Sequence, residues 1–294
     1  MKILNFGSVN IDRVYRVPHF VRPGETLSSS GFSLFAGGKG FNQSTALARA
    51  GAVVFHAGAI GADGLWLKEA LEKDGADVHL LRETGSQTGH AIIQVDDNGQ
   101  NCIIIEGGAN QEIHPLDVDA AFAGFSRGDT LLIQNEISSI PEMIEKAVSK
   151  GMDVVFNPAP MSPRVLEYPL EKVSLFIVNE VEGAEIAQVA SDDPAVILDA
   201  MQAKFPLADI VLTLGSKGAV ARFKSKPELF VAAKKVVALD TTAAGDTFIG
   251  YFLAERQSGA SLRSAMEVAT AASAVCVTRM GAAPSIPVRT DLVL

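Results

Sequence analysis

The amino-acid sequence predicts an α/β fold: a mostly parallel sheet with helices on both faces, plus a small β-rich insertion. Three observations predict it. Apolar runs of strand length alternate with stretches of helical spacing along most of the chain, as expected where helices cross over between parallel strands. Apolar residues make up 48% and charged residues 20% of the 294, which provides for a sizeable core and excludes wholesale disorder. Two stretches, 13–35 and 91–106, break the alternation and lack a helical pattern.

Lys2–Phe6 is a short apolar strand that ends at Gly7-Ser8. Phe41–Ala50 has helical spacing and stops at Gly51, a usual residue just past a helix end. Val53–Ala59 is a strand, and Leu65–Lys73 is helical and ends near Gly75. Thr130–Gln134 and Asp153–Phe156 read as buried strands around a helix near Pro141–Lys150. Leu175–Val178 and Asp209–Leu214 continue the series, and helices near Gly245–Gln257 and Leu262–Thr278 close it.

Of the two irregular stretches, Arg13–Phe35 is rich in Val, Phe, Ser and Pro. In the other, Ala91–Val95 and Asn101–Ile105 flank Asp97-Asn98-Gly99, and Asn-Gly between alternating runs signals a hairpin. The pair reads either as ordinary surface hairpins or as a lid that excludes water from a site. No linker or repeat divides the chain, so one domain over 1–294 is expected, with the lid at 13–35 and 91–106.

Lys and Arg number 25 against 34 Asp and Glu, a formal net charge of −9. With no Lys/Arg run, nucleic acid is not an expected partner. No window approaches the roughly 18 unbroken apolar residues of a membrane span, and the first residues show no signal-peptide pattern. A cytoplasmic protein is therefore expected. Cys102 and Cys276 do not make a disulfide framework. The histidines lack zinc-ligand spacing, and neither Gly-x-Ser-x-Gly nor His-Glu-x-x-His occurs. Trp66 and the small-residue helix Ala265–Cys276 read as packing.

The most informative segment is Leu239-Asp240-Thr241-Thr242-Ala243-Ala244-Gly245-Asp246-Thr247-Phe248, which follows an expected strand Lys235–Leu239 and opens a helix. Small residues at a helix N-terminus let backbone N–H groups converge on an anion, and the helix dipole adds to the attraction. A carboxylate beside such a nest is repulsive unless it has a chemical task. Accepting a proton from an attacking hydroxyl is such a task; the plainer reading of Asp246 is a first-turn acid favoured by the dipole.

Ala36-Gly37-Gly38-Lys39-Gly40-Phe41-Asn42-Gln43 precedes a helix and is either a tight turn or a place where ligand approaches backbone. It is neither a Walker A loop nor a complete dinucleotide fingerprint. Gly7-Ser8-Val9-Asn10-Ile11-Asp12 lies past the first strand, where open α/β sheets bind ligands. Asn10 and Asp12 there are turn residues or partners for sugar hydroxyls. Thr213-Leu214-Gly215-Ser216-Lys217-Gly218 is a nucleotide loop or a hairpin turn. In Asn179-Glu180-Val181-Glu182, Glu182 either caps a helix or holds a magnesium-bound water.

Together these segments, in this order and over the whole chain, resemble the ribokinase-like sugar kinase family of the PfkB type. Gly37-Gly38-Lys39-Gly40-x-Asn42 is similar to its N-terminal signature and Asp240-Thr241-x-Ala243-Ala244-Gly245-Asp246 to its C-terminal one. Asn157-Pro158-Ala159-Pro160 and Thr278-Arg279-x-Gly281-Ala282-x-Pro284-Ser285 are most similar to ribokinases. Phe41 stands where ribokinases usually have alanine, so its bulk beside Asn42 bears on the acceptor, and Asn135 replaces an apolar residue before Glu136.

The resemblance implies a three-layer α/β/α fold with a β lid, and ATP-dependent transfer of a phosphoryl group to a primary hydroxyl of a small sugar, ribose or a relative. A nucleoside, fructose, a fructose phosphate or a keto-deoxy sugar acid is the alternative acceptor, and a non-catalytic sensor the remaining reading. It implies that Asp246 is the catalytic base and that the amides of Ala243, Ala244 and Gly245 form the anion hole. Asn10, Asp12, Gly38, Lys39, Asn42 and Glu136 would bind sugar. Asn179, Thr213, Gly215, Ser216 and Gly218 would line the ATP site, with Thr270 near the adenine. Glu182 would support magnesium. Asp240, Thr242, Cys276, Arg279, Gly281 and Ser285 match positions that hold potassium, several through carbonyls. A homodimer through the lid is also implied.

Overall fold

The computed structural model describes residues 1–224 and 226–292. Its larger sheet has nine strands. Seven run parallel: β1 (Ile3–Phe6), β4 (Val54–Ile60), β5 (Leu81–Glu83), β8 (Thr130–Gln134), β9 (Asp153–Asn157), β10 (Leu175–Asn179) and β11 (Asp209–Thr213). β12 (Gly218–Arg222) and β13 (Leu229–Ala232) add antiparallel at one edge, so the order is β13-β12-β11-β10-β9-β8-β1-β4-β5. The helices are α1 (Lys39–Arg49), α2 (Leu65–Asp74), α3 (Pro115–Phe122), α4 (Ile140–Ser149), α5 (Glu180–Ala187), α6 (Pro194–Lys204), α7 (Ala244–Gln257) and α8 (Leu262–Cys276).

Two cores, one on each face of the sheet, make the three layers. Alternate strand residues Ile3, Leu132, Val155, Ile177 and Val211 face α1, α2, α7 and α8. Their neighbours Leu4, Leu131, Ile133, Val154, Phe156 and Leu212 face α3 to α6. The period-2 alternation of a strand buried on both sides assigns each residue to its core.

The second sheet has four strands in the order β3-β2-β6-β7: β2 (Asn10–Arg16), β3 (Gly31–Gly37), β6 (Gly89–Val95) and β7 (Asn101–Glu106). β2 pairs with β6 in parallel, and the outer pairs are antiparallel. Register sets Asp12 beside Phe35 and Ala91, and Ile105 beside Ala91, so these side chains share one face. The two stretches expected as a β insertion therefore do form one sheet. It begins earlier than expected, and Asn10 and Asp12 lie on its first strand rather than in a turn.

The expected strand Lys235–Leu239 is not one; the antiparallel edge strand is β13, at Leu229–Ala232. Val237 is 82% and Leu239 64% exposed, so their apolar pattern finds no sheet face to bury against. Instead the main chain of Leu239 and Asp240 is held by the carbonyl of Val277 at the end of α8.

Candidate active site

The parallel strands end on a row of polar side chains: Asn5 near the end of β1, and Gln134, Asn157, Asn179 and Thr213 at the last positions of β8 to β11. This is the carboxyl edge, where open α/β sheets bind ligands. Above it lies a cavity of ≈ 810 Å³, roofed by β2, β6 and β7 and floored by α1, α7 and the strand ends.

α1 can start so close to β1 because both meet at glycine. A Cβ on Gly40 would lie 2.4 Å from the carbonyl carbon of Gly7, too near for any side chain. Gly38 precedes the helix at φ 90, which glycine adopts at little cost. One turn along, Asn42 and Gln43 turn to α7. Asn42 Nδ2 donates to Asp246 Oδ2 at 3.1 Å, and Gln43 Nε2 to Asp246 Oδ1 at 2.9 Å. Asp246 is 7% exposed and lines the cavity.

α7 opens on Ala243, which sits in the left-handed region at φ 61, a strained place for a residue with a side chain. Of the three amides expected in the anion hole, Ala244 N–H closes a turn onto Thr241 O at 3.3 Å. Among the described residues the amides of Ala243, Gly245 and Asp246 have no backbone or side-chain acceptor, and all three residues line the cavity. The Asp246 amide was not anticipated from the sequence; its place in the first helical turn is the signal that finds it.

The sugar-side candidates meet in the same cavity: Asn10, Asp12, Gly38, Lys39, Asn42 and Glu136 all line it. Glu136 Oε2 accepts the Ser8 hydroxyl and, at 2.9 Å, the Lys39 amide. Burial raises its carboxyl above the usual range, against the pull of Lys39. Burial, and then the charge of Glu136, push Asp12 up to about 7. Burial disfavours the Lys39 ammonium, but Asp246, Glu136 and Glu182 outweigh it and raise Lys39 on balance. Phe41 is 1% exposed and packs in the core on the α1 face rather than lining the cavity, so its bulk does not crowd the acceptor.

Asn179 and Thr213 line the cavity; Gly215, Ser216 and Gly218 do not. They form the tight turn between β11 and β12, beside its rim. Thr270 is buried in α8, also outside the lining. Glu182 lines the cavity while capping α5: its carboxylate accepts Asn179 N–H at 3.0 Å and Nδ2 at 2.8 Å. The capping contacts are thus present, and the same carboxylate borders the cavity.

Of the expected potassium set, Asp240, Thr242 and Gly281 line the cavity. Asp240 accepts the Thr242 hydroxyl at 2.6 Å and the N–H groups of Thr242 and Gly281, each at 2.9 Å, which keeps its carboxyl below the usual range despite burial. Cys276 Sγ lies 3.6 Å from Thr242 O and 3.1 Å from Ser285 Oγ, so Cys276 and Ser285, outside the lining, back onto Thr242 at the cavity wall. The Arg279 guanidinium pairs with Asp291 at 3.0 Å, leaving only main-chain atoms to offer a cation. Among the described residues no cluster of three or more His, Cys, Asp or Glu side chains could hold a metal ion. One carboxylate amid carbonyl and hydroxyl oxygens suits a singly charged, oxygen-seeking cation. Magnesium at Glu182 would take most of its ligands from water and phosphate.

No helix among the described residues is long and apolar enough to cross a membrane. The chain matches the family model "pfkB family carbohydrate kinase" over residues 1–289. It is 36% identical over 293 residues to the ribokinase of Haemophilus influenzae, covering 97% of this chain and 95% of that protein. The crystal structure of ribokinase from Cryptococcus neoformans var. grubii serotype A, in complex with ADP, superposes with TM-score 0.86. It is 36% identical, with 99% of this chain and 98% of that one covered. The structure of Arabidopsis thaliana ribokinase complexed with ribose and ATP also gives 0.86, at 28% identity and with 98% and 96% covered. With its fold, cavity and whole-length match in agreement, this chain belongs to the pfkB family of carbohydrate kinases.

Proposed function

We propose that this enzyme transfers the γ-phosphoryl group of ATP to a primary hydroxyl of ribose, with Asp246 as the base. One observation carries the reading: a buried carboxylate bonded to Asn42 and Gln43, in the first turn of a helix with three unpartnered amides, facing the cavity that Asp12 also lines. Lys39, Glu136, Asn10 and Asp12 hold the sugar, and Asp246 takes its hydroxyl proton as the new O–P bond forms. The amides of Ala243, Gly245 and Asp246 stabilise charge on the transferred group. Asn179 and Thr213 mark the nucleotide side, with the 215–218 turn and Thr270 at its periphery. Glu182 would hold magnesium through water, and the metal would neutralise phosphate charge. Asp240, Thr242, Cys276, Arg279, Gly281 and Ser285 would hold potassium, several through main-chain carbonyls, and the ion would steady the entry to α7. A phosphorylated acceptor is disfavoured because, of Arg13, Arg16 and Arg22, only Arg16 lines the cavity.

The chain acts as one domain, with the four-stranded sheet as its lid. Exposed Phe32, Leu34 and Ile104 on that sheet support a homodimer formed through it. The test is ADP release with ATP across ribose, deoxyribose, fructose, a nucleoside and a keto-deoxy sugar acid. Ribose is expected to give the highest kcat/KM. A higher value for another acceptor reassigns the substrate, and no ADP with any acceptor leaves a sensor.

A further inference from the structure

Behind Asp246 lie three buried amide side chains that the proposed chemistry leaves unused: Gln43, Gln134 and Asn5, at 0%, 1% and 0% exposure. A side-chain amide has a donor end and an acceptor end, so one firm contact orients the whole group. Asn5 Nδ2 donates to the main-chain carbonyl of Gly40 at 2.8 Å. A carbonyl only accepts, so Asn5 Oδ1 must point the other way. There it accepts from Gln134 Nε2 at 2.9 Å, and the same Nε2 donates to Gln43 Oε1 at 2.7 Å. With its oxygen so occupied, Gln43 presents Nε2 to Asp246 Oδ1 at 2.9 Å.

A second pin agrees with the first. Asn157 Nδ2 donates to the main-chain carbonyl of Ile177 at 3.0 Å, which turns Asn157 Oδ1 to Gln43 Nε2 at 3.3 Å. Two backbone carbonyls thus set the same orientation at Gln43: N–H toward the carboxylate. Were the amide reversed, its oxygen would face Asp246 and repel it. The arrangement also has a cost, since Gln134 Oε1 is buried with no partner among the described residues, and such an acceptor destabilises the fold. An apolar residue at the end of β8 would avoid that loss, but it could not orient Gln43.

We infer that Gln43, oriented by Gln134, is a positioning residue that holds the Asp246 carboxylate at the angle needed to accept a proton. The inference rests on the reading of Asp246 as the base.

The test uses the full chain with ATP and ribose, measuring kcat and both KM values for Gln43→Met, Gln134→Met, the double variant and Asp246→Asn, with thermal melts of each. Gln43→Met is expected to lower kcat about tenfold to a hundredfold, the scale of a slightly misplaced catalytic group, with both KM values nearly unchanged. Gln134→Met, which does not touch Asp246, lowers kcat by a smaller factor, and the double variant is no slower than Gln43→Met because one acts through the other. If Gln43→Met does not fold, Gln43→Asn, one methylene shorter, withdraws the amide and must show the same split. Multiplicative losses in the double variant, or wild-type kcat for either single variant, overturn the inference. An inactive Asp246→Asn beside a fully active Gln43→Met leaves the base in place and removes only its positioner. An active Asp246→Asn removes both.

Discussion

Asn42 on α1 and Asp246 on α7 are 204 positions apart in sequence, yet their side chains meet at 3.1 Å beneath the cavity. The contact places an amide of the N-terminal glycine-rich segment on the carboxylate of the C-terminal one. In Asp246→Asn, the new amide would bring its NH2 against either Asn42 Nδ2 or Gln43 Nε2, so one pair must turn. That rearrangement costs about 1 kcal/mol, a typical hydrogen bond. Loss of the base costs about 10²–10⁴ in rate. The variant is expected to melt within a few degrees of wild type, to bind ATP in calorimetry, and to lose turnover by that factor. Near-normal turnover removes Asp246 from the chemistry.

Much of this site was legible because its residues sit in segments with unusual local demands. Gly37-Gly38 and Ala243-Ala244-Gly245 stand out as small residues before a helix, and Asp246 stands out as an acid beside them. Gln43 and Gln134 carry no such mark. One reads as an ordinary helical amide and the other as the polar end of a strand, and Gln43 meets Asp246 from 203 residues away. The available signal was collective: Asn5, Gln134 and Asn157 all interrupt apolar strands near the same end. β12 and β13 were missed for a different reason. Gly218 was absorbed into a turn, and Val236, Val237 and Leu239 carried the apolar pattern of a strand without burying it.

Sugar affinity should depend on pH through Asp12. Its carboxyl, pushed up to about 7 by burial and by Glu136, is largely protonated below neutrality. As an anion it accepts the sugar's hydroxyl hydrogens at both oxygens; as an acid it turns one of them into a donor. If the anion is the binding form, the competent fraction rises with pH through 7 and then saturates. Ribose should therefore bind about tenfold more weakly at pH 6 than at pH 8. Glu136 and Lys39 share the pocket, so the control is Asp12→Asn, which should bind weakly and with a flatter profile. Calorimetry across this range decides, and stronger binding at pH 6 reverses the assigned form.

The α1–α7 contact that joins Asn42 to Asp246 continues one turn further, at Ala46 and Gly250. A Cβ on Gly250 would lie 2.3 Å from Ala46 Cβ and 2.8 Å from Leu47 N, far inside contact distance. Two effects of Gly250→Ala oppose each other. Helix propensity favours alanine by about 1 kcal/mol, while forcing a methyl into a packed interface costs about 1–3 kcal/mol. Because the nearest atoms include backbone, the helices must part, and the cost should win. The same parting would draw Asp246 away from Asn42 and Gln43. Gly250→Ala is therefore expected to lower both Tm and kcat, although residue 250 does not line the cavity. Paired melting and rate measurements check this. A higher Tm with unchanged kcat would mean that the interface tolerates a methyl group and that its closeness does not hold the carboxylate in place.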